Sequence, residues 1–295
     1  MSTTFKPRHL SAEAVLTRHN VRFLGNPKAQ HSLVFAHGFG CDQNVWRHIV
    51  DAFTDDFRVV LFDYAGCGGA AQGSYDVQRH ASLHGHADDV IDICVAAGLV
   101  NPILVGHSVS SMVGALVSQR RPALLHKLVM MCPTPSYIDD GNYRGGFQRE
   151  DVDDLLDMLD TNYFTWARMM APVIMGKQHQ AALSDDLSNS FCRFDPVVAK
   201  HFARVTFLSD HRADLLSVGT ATLLMQCQDD ALAPLAVGDY MQSTMPDAQL
   251  LVMRATGHCP HLSAPAESIS AMRAYLAPEM ASARDAVCAA MGSAG

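Results

Sequence analysis

The chain has 295 residues, 48% of them hydrophobic and 18% charged, with a formal net charge of −8. That balance suits a packed α/β protein and excludes wholesale disorder, and with no concentrated run of Lys and Arg it also excludes a nucleic-acid-binding face. No apolar run reaches the about 18 residues of a membrane span, and MSTTFKPRHLSAEAV at the start lacks the apolar core of a secretory signal.

In chain order, strand-like runs fall at VRFLG near Val21, SLVFAHG from Ser32, RVVLFDY from Arg58, PILVGH from Pro102, KLVMMCP from Lys127, TLLMQC from Thr222 and QLLVMR from Gln249. Most are continuously apolar rather than alternating, as strands covered on both faces must be, so a parallel sheet is expected. Helical patterns lie between them at 80–98, from Ser108 to about Gln119, at 234–244 and at 264–277. Strand alternating with helix gives a doubly wound α/β architecture.

From about Pro133 to Gly219 the rhythm stops. REDVDDLLDMLDTNYFTWARMM, LSDDLSNSFC and DPVVAKHFARVTFLS all read as helical. About eighty residues is too much for one crossover connection. A helical lid over 134–213 is therefore expected, inserted in a core of 1–133 and 214–295. In the acidic first segment Val152, Leu155, Leu156 and Leu159 recur at helical spacing, so its charges are expected to form a solvated face, with docking of a partner as the alternative. The tail after Pro278, rich in Ala, Ser and Gly, is expected to be frayed or weakly helical. The cysteines at 41, 67, 94, 132, 192, 227, 259 and 288 follow neither CxxC nor metal-ligand spacing, and several sit in apolar runs. They read as reduced core thiols of a cytoplasmic protein.

The stretch GHSVSSMVGAL follows the run NPILV directly. A serine on a tight strand-to-helix turn, flanked two residues either side by small residues, is the pattern of a nucleophile elbow. Here Gly106 and Ser110 flank Ser108, giving Gly-x-Ser-x-Ser rather than Gly-x-Ser-x-Gly. An ordinary helix N-cap is the alternative. A nucleophilic serine needs a base, and the base an orienting acid, in the chain order Ser, Asp or Glu, His. QDDALAP after the sixth strand supplies carboxylates, and ATGHCPH after the seventh supplies His258 just past Gly257. Strand ends are where open α/β sheets build their ligand crevice.

Of the adjacent Asp229 and Asp230 only one can orient the imidazole. Asp230 is favoured because Pro234 follows at the fourth position, an arrangement associated with hydrolases of this fold. Asp229 would then bond backbone amides. His258 is preferred to His261, which reads as structural, and no metal site is expected because no carboxylate or Cys accompanies the pair at a known ligand spacing. The oxyanion hole would take backbone amides from Val109, after the nucleophile, and from Phe39 in the glycine-rich loop AHGFGCD. HGFGCDQ is no dinucleotide loop, since GxGxxG and its following acidic residue are missing, and no cofactor is expected.

HGFGCDQNVW at 37–46, LFDYAGCG at 61–68, GHSVSSMVG at 106–114, RRPALLHKLVMMCPTPSYIDD at 120–140 and GHCPHLSAP at 257–265 carry a wider resemblance. Together with YRGGFQ at 143–148, NYFTWA at 162–167 and FLSDHR at 207–212, they resemble an α/β-hydrolase subfamily. It contains the bacterial stress-response regulator RsbQ and the plant strigolactone and karrikin receptors. HGFGCDQ, QCQDDALAP and GHCPH lean to the RsbQ branch, Gly-x-Ser-x-Ser to the plant receptors. The resemblance implies a core sheet with a four-helix, V-shaped lid over an apolar pocket. It further implies a Ser108–Asp230–His258 triad and an oxyanion hole of the Phe39 and Val109 amides. Family members hydrolyse small esters slowly, several act in signalling, and RsbQ-type proteins work beside a phosphatase bearing a PAS sensor domain.

Phe39, Phe147, Trp166, Met170, Ile174, Phe191 and Phe207 are expected to face the cleft, with Met169, Met170 and Met175 as adaptable walls. The expected activity is a serine hydrolase for a small hydrophobic ester or lactone. A ligand-sensing protein in which hydrolysis is incidental would use the same residues. Cofactor-free haloperoxidase or carbon–carbon bond chemistry would need more polar groups than this lid offers.

Overall fold

The computed structural model describes residues 10–176 and 181–281. The start of the chain, Cys288 and most of the Ala, Ser and Gly-rich tail lie outside the described residues, although 277–281 are helical. One sheet organises the molecule. Its strands are β1 (Arg22–Gly25), β2 (Ser32–Ala36), β3 (Arg58–Leu61), β4 (Ile103–His107), β5 (Lys127–Met131), β6 (Thr222–Asp229) and β7 (Ala248–Thr256), in the order β1-β3-β2-β4-β5-β6-β7.

All neighbours pair in parallel except β1, which runs antiparallel to β3. The sheet is thus mostly parallel, as expected, with its one antiparallel strand at an edge. The central β2 and β4 are buried at every residue, whereas edge strand β7 is mostly half-exposed. Continuous apolar runs thus mark the strands with helices on both faces.

The core helices are α1 (Ala12–Arg18), α2 (Leu83–Ala96) and α3 (Val109–Arg120) before the long insertion. Within it lie α4 (Arg149–Thr161), α5 (Tyr163–Met175), α6 (Ala181–Arg193) and α7 (Pro196–Phe207). After it come α8 (Leu235–Thr244), α9 (Pro260–Ser263) and α10 (Pro265–Tyr275). The run expected as one helix over 149–170 is two, because Asn162 leaves helical geometry at φ −149° and its side chain accepts from the Thr165 amide at 3.1 Å. As expected of α4, Val152, Leu156 and Leu159 are buried and its carboxylates face outward.

The insertion leaves and rejoins the sheet side by side: the His211 amide donates to the Pro135 carbonyl at 2.8 Å, and Ser136 bridges Asp210. All seven described cysteines are free thiols, six of them buried. No described helix is long and apolar enough to cross a membrane.

Candidate active site

The β4–α3 turn puts Ser108 at φ 55°, a left-handed conformation that a side-chain-bearing residue adopts only at a cost of about 1–3 kcal/mol. Gly106 permits the turn, since a Cβ there would lie 2.5 Å from the Ser110 carbonyl oxygen. Ser108 makes no capping bond to α3, so the N-cap alternative is set aside. Its Oγ instead lies 2.7 Å from His258 Nε2.

His258 arrives from the loop after edge strand β7. Gly257 turns the chain at φ 81°, its amide donating to the Asp229 carbonyl at 2.7 Å, and the His258 amide donates to the Ile174 carbonyl of α5 at 2.7 Å. On the far side of the ring, Nδ1 donates to Asp230 Oδ2 at 2.8 Å. Asp230 Oδ1 accepts from the amides of Leu232 at 2.9 Å and Ala233 at 3.2 Å. Burial pushes the Asp230 pKa up, but the imidazole and these amides outweigh it, and the net shift is downward. The amide-bonding role expected of Asp229 falls to Asp230 itself, whereas the Asp229 side chain is exposed beyond the sheet.

The loop after β2 closes against Ser108. A Cβ on Gly38 would lie 2.6 Å from His107 Nδ1 and 3.5 Å from Ser108 Cβ. The following Phe39 amide and the Val109 amide at the first turn of α3 donate to no backbone carbonyl among the described residues. Ser110, the residue that departs from the glycine pattern, fastens this loop: its Oγ donates to the His37 carbonyl at 2.5 Å and meets the Tyr64 hydroxyl at 2.9 Å.

Around Ser108 lies a small apolar cavity of about 30 Å³. Phe39, Trp166, Met170, Ile174, Phe191 and Phe207 line it as expected. Phe147 does not. Its amide and carbonyl pair with the backbone of Tyr137 and Asp139, holding it in the turn before α4, and Tyr137 lines the cavity instead. Met169 is 54% exposed and Met175 is off the cavity, because Trp166, Met170 and Ile174 share one helix face that excludes both.

Phe39 contacts the rings of Trp166, Phe191, Phe194, Phe202 and Phe207 at 5.6 to 6.2 Å, so the helices between β5 and β6 and the loop after β2 meet through aromatic rings. Sequence reasoning missed Tyr137, Leu187 and Thr206 in the cavity wall. Burial raises the pKa of the Tyr137 hydroxyl in that wall. The only signal for Tyr137 was its place in a loop leaving a strand end.

Ligand-type atoms of His107, Cys259 and His261 lie within 4.8 Å of one another, as do those of Cys132, Asp230 and His258. In the second group Asp230 and His258 already bond each other. In the first, His261 is wholly buried and packs on Trp46 at 4.8 Å and His107 at 4.4 Å, a structural setting. Burial drives the His107 pKa down to about 3, and its Nε2 donates to the His258 carbonyl at 2.7 Å.

Residues 33–271 match the family described as the alpha/beta hydrolase family. The chain is 36% identical over 248 residues to a karrikin insensitive 2 receptor of Petunia hybrida, covering 84% of this chain and 91% of that one. It is 33% identical over 268 residues to the strigolactone esterase D14 of Arabidopsis thaliana, covering 90% and 99%. A solved structure described as olei00960, a hydrolase from Oleispira antarctica, shares 38% identity at a TM-score of 0.88, covering 90% and 97%.

Proposed function

The chain belongs to the alpha/beta hydrolase family, and from that premise we propose that it is a carboxylesterase-like serine hydrolase acting on a small apolar ester or lactone. The reading rests on one observation above all: a serine in a strained left-handed turn with its hydroxyl 2.7 Å from an imidazole that a buried carboxylate orients.

In this reading His258 Nε2 takes the Ser108 proton as Oγ attacks the substrate carbonyl. The Phe39 and Val109 amides receive the developing oxyanion, and Asp230 holds the imidazole tautomer and steadies its charged form. The imidazolium then protonates the leaving alkoxide, and a water deprotonated by His258 releases the acid from the acyl-enzyme. In a lactone both fragments leave as one hydroxy acid.

Residues 134–213 act as a lid on a core of 1–133 and 214–295. A cavity with room for only a water or two supports a reading in which those helices part before a substrate reaches Ser108. The free thiols favour a reducing, cytoplasmic setting.

Ser108→Ala tests the assignment. We expect kcat/KM toward a short 4-nitrophenyl ester to fall at least about a thousandfold, and an activated ester or lactone to leave an acyl adduct on the wild type alone by intact mass. Full activity in the variant would end the reading.

The narrow cavity favours a second reading on the same residues. Turnover is slow, and a ligand-dependent lid position is the output, as in a sensor of the RsbQ type working with a PAS-domain phosphatase. HGFGCDQ, QCQDDALAP and GHCPH support that branch, and the receptor name of the Petunia relative supports a sensing role. A partner captured only when ligand is bound would favour sensing over metabolism.

A further inference from the structure

The cavity beside Ser108 is apolar, yet two of its walls carry polar atoms with nothing to bond. Thr206 on α7 is 1% exposed and its Oγ1 has no hydrogen-bond partner. Trp166 on α5, also 1% exposed, has an unpartnered Nε1. A helical threonine ordinarily bonds the carbonyl three or four residues back, which makes an unused hydroxyl on a cavity wall unusual. An indole N–H can only donate, and a hydroxyl can donate as readily as accept. Buried donors left unmade are costly, and they persist where a ligand completes them.

We infer that Thr206 and Trp166 form a second polar contact for the substrate, selecting esters or lactones that carry a further acceptor oxygen, a carbonyl or ether, away from the scissile bond. The inference rests on the serine-hydrolase reading and narrows its substrate class. Ser108, His258 and the oxyanion amides engage the ester group itself. The two lid donors are additional to that machinery and sit on α5 and α7, two of the four helices that must part for a substrate to enter. A ligand bearing the second oxygen therefore gains its extra bonds only once the helices close over it. An alkyl ligand of the same shape would bury the donors unpaired, the situation in which binding sites discriminate most strongly.

The test uses the full chain and two matched ester pairs: 4-nitrophenyl 4-oxopentanoate against pentanoate, and 5-oxohexanoate against hexanoate, each rate divided by that ester's hydroxide-catalysed rate. We expect the wild type to prefer at least one oxo ester by about tenfold or more in kcat/KM. Thr206→Val, which keeps the shape and removes the hydroxyl, should cut that preference by at least about threefold, and Thr206→Ser should restore it. Thr206→Val should also melt at or above the wild-type temperature, because an unpaired hydroxyl has been removed.

Equal use of both members of each pair by the wild type, or a preference that survives Thr206→Val, would overturn the inference while leaving the hydrolase intact. A marked fall in melting temperature would assign the hydroxyl to the fold, and would equally overturn it. No turnover of any of the four esters would remove the serine-hydrolase reading and this one with it.

Discussion

Asp230 spends both carboxylate oxygens, one on the His258 ring and one on two amides of its own loop, so it is fixed before any substrate arrives. Asp229, one residue earlier, ends β6 with its side chain in solvent and contributes its carbonyl to Gly257. Asp229 closes a strand whose register shifts after Cys227, whereas Asp230 lies in the loop beyond it and turns inward. We expect Asp230→Asn to lower kcat by about 10⁴-fold with the fold intact, because the amide presents a donor to Nδ1 and the imidazole takes the wrong tautomer. Asp229→Asn should stay within about twofold of wild type, as a surface change away from the site. Steady-state kinetics on both variants decide it, and comparable losses would refute the assignment. At this scale Ser108, Asp230 and His258 were legible because each sits at a strand end that apolar runs announce. Tyr137 and Thr206 were not, since their inward direction depends on how a loop and a helix lie against the sheet, which spacing does not encode.

The end of α5 and the His258 loop are one mechanical unit. The His258 amide is held by the Ile174 carbonyl, and a Cβ on Gly257 would lie 2.1 Å from the Met175 carbonyl oxygen. Gly257→Ala therefore has two costs: about 1–3 kcal/mol for a side chain at φ 81°, and a backbone clash that only relative movement of α5 and the loop relieves. Since a displacement of about 1 Å at a reacting group can cost about 10²-fold, we expect kcat to fall more than about tenfold along with the urea midpoint. A variant that loses stability but keeps wild-type kcat would show α5 and His258 to be uncoupled. The same elements show what patterning conveys. The five inner strands were readable because burial on both faces writes continuous apolar runs. The direction of β1 was not, because an edge strand reads the same either way. The break at Asn162 was hidden by helical periodicity that continues on both sides of it, and α1 is only seven residues long.

Over the whole molecule, an unusual share of imidazole is sealed inside. Of 15 histidines, His19, His37, His86, His107 and His261 are all at most 1% exposed except His107 at 3%, and burial lowers the pKa of each. For His86 and His107 it falls from 6.5 to about 3. Between those values the unfolded chain binds protons that the folded chain refuses, so stability is full above pH 6.5 and declines as pH drops toward 3. Lowered carboxylates act in a different window. Asp89, with a pKa brought down to about 2, and Asp230 keep their contribution until the pH falls below the ordinary carboxylate range near 3.8. At about 1.4 kcal/mol per pH unit, His86 and His107 together remove about 4 kcal/mol by pH 5, which should lower Tm by about 5–10 °C relative to pH 7. Self-repulsion cannot be the cause in that range, because the chain is near its isoelectric point of about 6.0 there and its net charge is smallest. Calorimetry at constant ionic strength from pH 7 to pH 5 reads the effect directly. A flat Tm would mean that these rings take up protons within the native fold, and that the packing of His107 against the His258 loop is looser than its burial implies.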